Sequence, residues 1–226
     1  MWQTVLGTIF ALILVGLLLR QYVQERARRE AEPGRIFADA LPVLENSEAR
    51  AGAQAGSYLL TGRYQGHEVQ VKVLADTLAL RKLPGLWLMV TLPTPIPLNA
   101  TLDLMMRPAG ATSFSNFDQL AYTLETPPSF PEHLVIRGDA PIAAVPLDLM
   151  ARHITPLSQP RGKELLLTPK GLRLVMLLAE ADRARYGVFR QADFGGAAVD
   201  PVQLVKLIEH LVDLQRDILA WHDPAS

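Results

Sequence analysis

Residues Trp2 to Leu19 form an unbroken run without a charged side chain, and four arginines follow it: Arg20, Arg26, Arg28 and Arg29. As a helix this run would extend about 27 Å at ~1.5 Å per residue, close to the ~30 Å hydrocarbon core of a bilayer. The run has neither the basic leader nor the small-x-small site of a cleaved secretory signal. The sequence therefore predicts a retained transmembrane helix over residues 1–19.

The charges that flank this run predict its orientation. No Lys or Arg precedes it, and five arginines follow it by Arg35. Because basic residues stay on the cytoplasmic side, we expect a single-pass protein of the bacterial inner membrane with its N-terminus outside and a cytoplasmic C-terminal domain. A periplasmic body is the alternative, since the rule has exceptions. The absence of cysteine fits the cytosol and excludes a thiol nucleophile or an iron–sulfur cluster held by this chain alone.

Small side chains share one face of the predicted transmembrane helix. Thr4, Gly7 and Ala11 lie on that face, and Gly7 with Ala11 forms a small-xxx-small pair that favours close packing of a second helix. The alternative is that Gly and Ala are ordinary in membrane helices. Other membrane-protein subunits are thus one class of predicted partner.

Lipids are the second predicted class of partner. The arginines after the run would sit at anionic headgroups, each contributing about 1 kcal/mol, although they could serve only to set the topology: Arg20, Arg26, Arg28 and Arg29. The formal net charge of −1 gives the whole chain no basic field, which argues against nucleic-acid binding.

Residues 20–56 are predicted to form a juxtamembrane helix and a linker. Pro33 with Gly34 would end the helix, and the Ala- and Gly-rich stretch from Ala49 to Gly56 has little that could pack. A short amphipathic helix is expected in between, on the helical spacing of Ile36, Phe37, Ala40, Leu41 and Leu44.

The domain over residues 57–226 carries strand patterns. A β-hairpin is predicted from Tyr58–Tyr64, a Gln65-Gly66 turn and His67–Leu74, because Val alternates with polar residues in its second arm. Further strands are expected at Leu86–Leu92 and Ala100–Met106, covered in part by a helix over 147–154.

A second β unit is predicted near the C-terminus. It would consist of strands at Glu164–Thr168, Leu172–Leu178 and Arg185–Arg190, with one helix over 172–186 as the alternative. The fold class expected is α+β: an N-terminal single transmembrane helix followed by a soluble domain of antiparallel β-hairpins covered by helices.

A C-terminal amphipathic helix should begin after Asp200, which can cap it, and Pro201 suits its first turn. Its apolar stripe would pack on the second β unit or, alternatively, form a seam for a partner helix: Leu204, Leu207, Ile208, Leu211, Leu214 and Ile218.

The chain carries no sequence motif for catalysis. It has no glycine-rich phosphate loop and no Gly-x-Ser-x-Gly elbow, and its five histidines are scattered. We therefore predict no cofactor and no metal, and the catalytic residues, if there are any, stay unknown.

Two features could contact a partner: the aromatic residues of a polar loop, Phe114 and Phe117, and an arginine cluster that could equally be a charged turn, Arg183, Arg185 and Arg190.

The segment Lys163–Phe194, with Leu-Thr-Pro-Lys-Gly-Leu-Arg-Leu-Val and Glu-Ala-Asp-Arg-Ala-Arg-Tyr, resembles bacterial single-pass membrane proteins that carry a soluble domain of unknown function. The layout is similar to that of accessory subunits of bioenergetic membrane complexes. The hypothesis is a non-catalytic accessory or interaction subunit of a larger inner-membrane complex. The alternative is a membrane-tethered enzyme or ligand-binding protein that uses Asp118, Glu132 and His133, and a lipid-surface sensor is a third possibility.

Overall fold

The computed structural model describes residues 13–23, 32–54, 56–76, 83–108, 110–189 and 192–223. Nine strands in this part of the chain form one sheet: β1 (Glu45–Ala51), β2 (Ser57–Tyr64), β3 (His67–Asp76), β4 (Gly85–Leu92), β5 (Leu102–Met106), β6 (Tyr122–Leu124), β7 (Leu134–Gly138), β8 (Gly162–Thr168) and β9 (Gly171–Glu180). Residues 13–23 and 32–36 are helical. The other helices are Leu147–Ala151, Thr155–Ser158, Arg183–Phe189 and the C-terminal helix, Pro201–His222.

The strands run in the order β1-β2-β3-β4-β9-β8-β5-β7-β6 across the sheet. Every neighbouring pair is antiparallel. The two predicted β units are therefore one sheet, joined where β4 pairs with β9, for example Leu88 with Met176. The expected fold class of separate hairpins after a transmembrane helix is wrong, because both units extend the same ladder.

The predicted hairpin is confirmed as β2 and β3, which pair from Ser57–Leu74 to Tyr64–His67. Its two turn residues, Gln65 and Gly66, have φ values of 47° and 86°. Two consecutive positive φ values match the right-handed twist of the flanking strands, and Gly adopts such a backbone without a Cβ clash.

Side chains alternate along each strand, so the sheet has two different faces. We call one the helix face, because the C-terminal helix packs on it against β4 and β9. Strand side chains such as Leu60, Val71, Val90, Leu104 and Leu174 are buried there. We call the other the loop face, which includes Leu74, Met89, Met105 and Val175.

The C-terminal helix is confirmed. The Asp200 side chain accepts a hydrogen bond from the backbone N–H of Val202 at 2.9 Å, which satisfies one of the unpaired donors of the first turn. The whole predicted stripe is buried on the helix face: Leu204, Leu207, Ile208, Leu211, Leu214 and Ile218. The stripe therefore covers the core of its own domain.

Among the described residues, no helix combines the length and the apolar character that crossing a bilayer requires. The predicted transmembrane helix over 1–19, and with it the single-pass inner-membrane location and orientation, is wrong on this finding. Thr4, Gly7 and Ala11 lie outside the described residues, as do Arg26, Arg28 and Arg29.

Three local predictions also need correction. The linker predicted from Ala49 overlaps β1, which runs to Ala51 and pairs with β2. The strand predicted at Arg185–Arg190 is wrong, because Arg183–Phe189 is a helix. The helix predicted over 147–154 ends at Ala151. In the first case the pairing with β2 outweighed the local pattern.

Candidate functional site

The helix over residues 13–23, which we call the leading helix, is apolar on every side. Arg20 is its one charged residue, and this side chain is exposed. The apolar side chains are between 48% and 64% exposed: Ile13, Leu14, Val15, Leu17, Leu18, Leu19, Tyr22 and Val23. Spaced at 100° per residue, these positions surround the helix axis. A helix with this composition is normally buried on all sides, so the described part of the chain does not supply the contacts that its sequence calls for.

A cleft of about 610 Å³ lies where β5 ends and β7 begins. Four apolar residues line it and are themselves almost fully buried: Met106, Phe130, Ile154 and Leu157. Its polar lining includes Arg107, Ser129, Glu132, His133 and Ser158. We call it the Arg107 cleft, and its volume falls within the ~300–1,000 Å³ that ligand pockets occupy.

A second cleft, of about 630 Å³, lies beside residues 32–36 and is lined by Arg35, Tyr58, Asp193 and Phe194, among others. Arg35 donates to the carboxylate of Glu32, and this hydrogen bond is the main reason that its pKa is raised. Asp193 accepts a hydrogen bond from the backbone N–H of Gly195 at 2.9 Å. The charged groups of this cleft are thus already engaged with the chain itself.

The loop face contains a buried polar cluster at the centre of the sheet. Glu164 on β8 is fully buried, and its Oε2 accepts a hydrogen bond from Nη2 of Arg173 on β9 at 3.0 Å. Its Oε1 accepts from the Ser115 hydroxyl. Asp103 on β5 is 2% exposed and lies beside Glu164. Two carboxyl groups therefore share one arginine in a site closed to water.

Burial and, second, the neighbouring Glu164 together raise the pKa of Asp103 to about 9, although Arg173 opposes the shift. Two adjacent carboxylates in a dry site cannot both ionise, so Asp103 holds a proton at neutral pH. Its Oδ1 atom has no hydrogen-bond partner among the described residues. The pKa of Lys72 on the same face is lowered, mainly by burial and also by Arg173.

Aromatic side chains from the 110–121 segment cover this cluster. Phe114 and Phe117 are 5% and 4% exposed and pack with the apolar side chains of the loop face. The ring of Phe114 lies 4.9 Å from that of Trp87, between centroids. The Arg137 guanidinium lies 5.4 Å from the Phe117 ring and donates to its backbone carbonyl at 3.2 Å. The two carboxyl groups of the cluster are therefore covered, while the Arg173 side chain stays 22% exposed.

A histidine–aspartate contact joins the C-terminal helix to the 147–158 region. His153 Nε2 lies 3.0 Å from Oδ2 of Asp217, and the same oxygen lies 3.4 Å from Nη1 of Arg152. The hydrogen bond to His153 is the first cause of the lowered pKa of Asp217. Burial lowers the pKa of His210, whose Nε2 lies 2.9 Å from the carbonyl oxygen of His153. This cluster ties two elements together and opens into neither cleft described above.

The residues selected from the sequence do not form one site. Phe114 and Phe117 face the sheet rather than solvent. Arg183 is exposed at the start of a short helix, whereas the side chain of Arg185 and all of Arg190 lie outside the described part. Glu132 and His133 line the Arg107 cleft and lie 3.7 Å apart, but Asp118 is not among the lining residues. The three proposed acid and base residues therefore do not converge.

Sequence reasoning missed Asp103, Glu164 and Arg173. Glu164 follows Lys163 in its strand and Arg173 shares its strand with Glu180, whereas Asp103 is the single charged residue of Leu102–Met106. That pattern was a usable signal, because a charge in the middle of a buried strand must be paired. Within the described residues, no three His, Asp or Glu side chains gather where they could hold a metal ion.

No protein-family model matches the chain, and none of the curated proteins matches it either. Among solved structures, the chain is similar to the crystal structure of the mycobacterial trehalose monomycolate transport factor A, TtfA, at 9% sequence identity and a TM-score of 0.37. The match covers 79% of this chain and 78% of that chain. A TM-score this low does not establish a shared fold.

Proposed function

We propose that this chain is a non-catalytic interaction subunit that binds another protein through the leading helix. The observation that carries the proposal is the exposure of apolar side chains around the whole helix axis, such as Leu17 at 53% and Leu18 at 55%. Large exposed apolar surfaces mark interaction sites, because leaving them in water costs about 25 cal/mol per Å².

The chemistry of the helix indicates what its partner offers. A helix with apolar residues on all sides and one arginine presents no ionic pattern for a charged surface to match. It fits an apolar groove that encloses several of its faces, which is a common mode of helix recognition. The partner should therefore be a protein with a hydrophobic groove or a bundle that the leading helix completes.

The rest of the described chain supports a scaffold role. The sheet is covered on its helix face, and on its loop face the Glu164–Arg173 pair lies beneath Phe114 and Phe117. A folded sheet domain with an exposed apolar helix suits a subunit whose task is to be bound.

Photocrosslinking on the full chain in a bacterial host tests this proposal. A photoreactive phenylalanine analogue replaces Leu17 in one variant and Val202 in another, the latter being 60% exposed on the body and serving as the matched control. We expect one discrete protein adduct from position 17 and none from position 202. The partner protein in the adduct is then identified. It is purified by itself for a direct binding measurement.

The binding measurement uses the purified partner with Leu17→Asp/Leu18→Asp and with Val202→Asp. Burying two carboxylates in an apolar groove should weaken binding by about a hundredfold or more, whereas the control should bind like the parent chain. Adducts with lipid alone or with a second copy of this chain would overturn the proposal. So would a partner that binds the Leu17→Asp/Leu18→Asp variant as tightly as it binds the parent chain.

A further inference from the structure

We propose that the Arg107 cleft binds a small carboxylate that carries an apolar chain or ring. The cleft belongs to the folded body and not to the leading helix, so this inference is independent of the proposed protein partner. Three observations carry it: a constrained backbone at two lining residues, an apolar floor, and an arginine on the rim.

The backbone is constrained on both sides of the cleft. Arg107 and His133 have φ values of 46° and 67°, a left-handed conformation that residues other than glycine seldom adopt. They face each other just beyond the last β5–β7 pair, and the N–H of Arg107 donates to the carbonyl of His133 at 2.9 Å. Unfavourable backbone conformations of this kind concentrate at functional sites, where the surroundings hold them in place.

A lysine holds the backbone turn at Met106 and Arg107, where β5 ends. Nζ of Lys163 donates to the carbonyl oxygen of Met106 at 2.7 Å and to that of Arg107 at 2.9 Å. Its ammonium group therefore stabilises the turn and adds positive charge next to Arg107. Both effects favour an anion at the rim of the cleft.

The lining separates into an apolar and a polar part. Phe130 and Ile154, each 7% exposed, belong to the floor, which can contact a hydrocarbon chain or a ring. Arg107 is exposed and has no ion-pair partner among the described residues. The one acidic group of the lining is Glu132, whose side chain is 89% exposed and whose Oε1 lies 3.7 Å from Nε2 of His133. A guanidinium with five donors binds a carboxylate in a bidentate manner, so Arg107 selects the head group.

Binding of sodium octanoate to the full chain tests the inference, with octylammonium as the probe of opposite charge. Titration calorimetry should detect saturable binding of octanoate and much weaker binding of octylammonium. Arg107→Asn should weaken octanoate binding by about tenfold or more, the loss of one charge-assisted pair. Asn tolerates the left-handed backbone, so the turn is retained. Arg107→Lys should bind octanoate less tightly than the parent chain but more tightly than Arg107→Asn, because it keeps the positive charge and loses the bidentate pair.

Two control variants locate the binding at this cleft. Arg63 is exposed on β2 away from the cleft, so Arg63→Asn should leave octanoate binding unchanged. Leu17→Asp/Leu18→Asp should also leave it unchanged, which separates this result from any apolar binding by the leading helix. Equal affinity for octylammonium and octanoate would overturn the inference. The same holds if Arg107→Asn binds octanoate as tightly as the parent chain, or if octanoate binding is absent.

Discussion

The two faces of the sheet are built from the same strands but are stabilised in different ways. On β5, Leu104 points to the helix face and is fully buried among apolar side chains, while the adjacent Asp103 points to the loop face. The helix face is covered by the C-terminal helix. The loop face is covered by the 110–121 segment through Phe114 and Phe117. Equal burial is thus achieved with apolar groups on one face and with paired charges on the other.

This difference predicts which changes lower the stability of each face. Apolar burial is non-directional and indifferent to pH, so the helix face responds to lost volume. Buried charges tolerate neither the loss of a partner nor a change in protonation, so the loop face responds to single charges and to pH. Substitutions on the two faces should therefore separate these responses.

The largest effect is expected on the helix face. Leu211 of the C-terminal helix is fully buried, so Leu211→Ala removes apolar contacts and leaves a cavity. The free energy of unfolding should fall by about 3–5 kcal/mol. Urea denaturation followed by circular dichroism measures this loss, which should not depend on pH.

Val202, on the outer side of the same helix, is the control for Leu211. Because Val202 is 60% exposed, Val202→Ala should change the free energy of unfolding by no more than about 0.5 kcal/mol. If Leu211→Ala cost no more than Val202→Ala, the C-terminal helix would not be part of the core.

The next largest effect is expected on the loop face. Arg173→Met leaves the carboxylate of Glu164 buried without its guanidinium partner. Breaking a fully buried pair costs about 3–5 kcal/mol, and the 22% exposure of the Arg173 side chain reduces our expectation to about 2–3 kcal/mol. The same urea denaturation measures it.

A double substitution tests whether this loss arises from the unpaired charge. Arg173→Met/Glu164→Met removes both charges, so most of the stability should return, as it often does when a buried pair is replaced by apolar groups. A double variant as unstable as the sum of its two single variants would show that the two side chains act independently.

Much of the fold could be predicted from the sequence where one physical signal dominates. The hairpin at Gln65–Gly66 and the C-terminal helix after Asp200 were predicted because turn and cap residues act locally. The union of two β units into one sheet depends on the β4–β9 ladder, whose partners are far apart in sequence. Local patterns carry no information about such a pairing.

The site was harder to predict, because its residues meet only in the folded chain. Asp103, Glu164 and Arg173 come from three strands, and the register alone brings them together. The polar loop with Phe114 and Phe117 was interpreted as a contact surface, since two aromatic residues in a loop usually need a partner. The structure provides that partner within the chain, on the loop face.

The pH dependence of stability should distinguish the faces further. The pKa of Asp103 is raised from 3.8 to about 9, so between these values the folded chain keeps a proton that the unfolded chain releases. The free energy of unfolding therefore falls as pH rises through this window, by at most about 1.4 kcal/mol per pH unit for one proton. In Asp103→Asn this contribution is absent, and stability should vary less between about pH 5 and about pH 8.

Asp118→Asn is the matched control, because Asp118 is an exposed carboxyl of the 110–121 segment. This variant should keep the pH dependence of the parent chain in urea denaturation. If Asp103→Asn also kept it, Asp103 would be ionised in the folded protein, and the description of the loop face as a proton-sharing cluster would have to be abandoned.

The smallest effect is expected at the hydrogen bond between His153 and Asp217, a polar contact of the C-terminal helix. Asp217→Asn should lower the free energy of unfolding by about 1 kcal/mol at neutral pH, because a charge-assisted hydrogen bond is weakened. The folded pKa of Asp217 is depressed, so this stability is present above its ordinary value of 3.8 and is lost as pH falls through the folded value. The difference between parent and variant should therefore shrink in acid.

Asp213 gives this last comparison its control. It pairs with Arg216 at 2.8 Å on the same helix, but both side chains are more than half exposed, so Asp213→Asn should cost less than about 0.5 kcal/mol at any pH. Urea denaturation at neutral and acidic pH measures both variants. Equal losses at the two positions would mean that the buried ring of His153 adds nothing to the pair, and that polar contacts matter to stability only on the loop face.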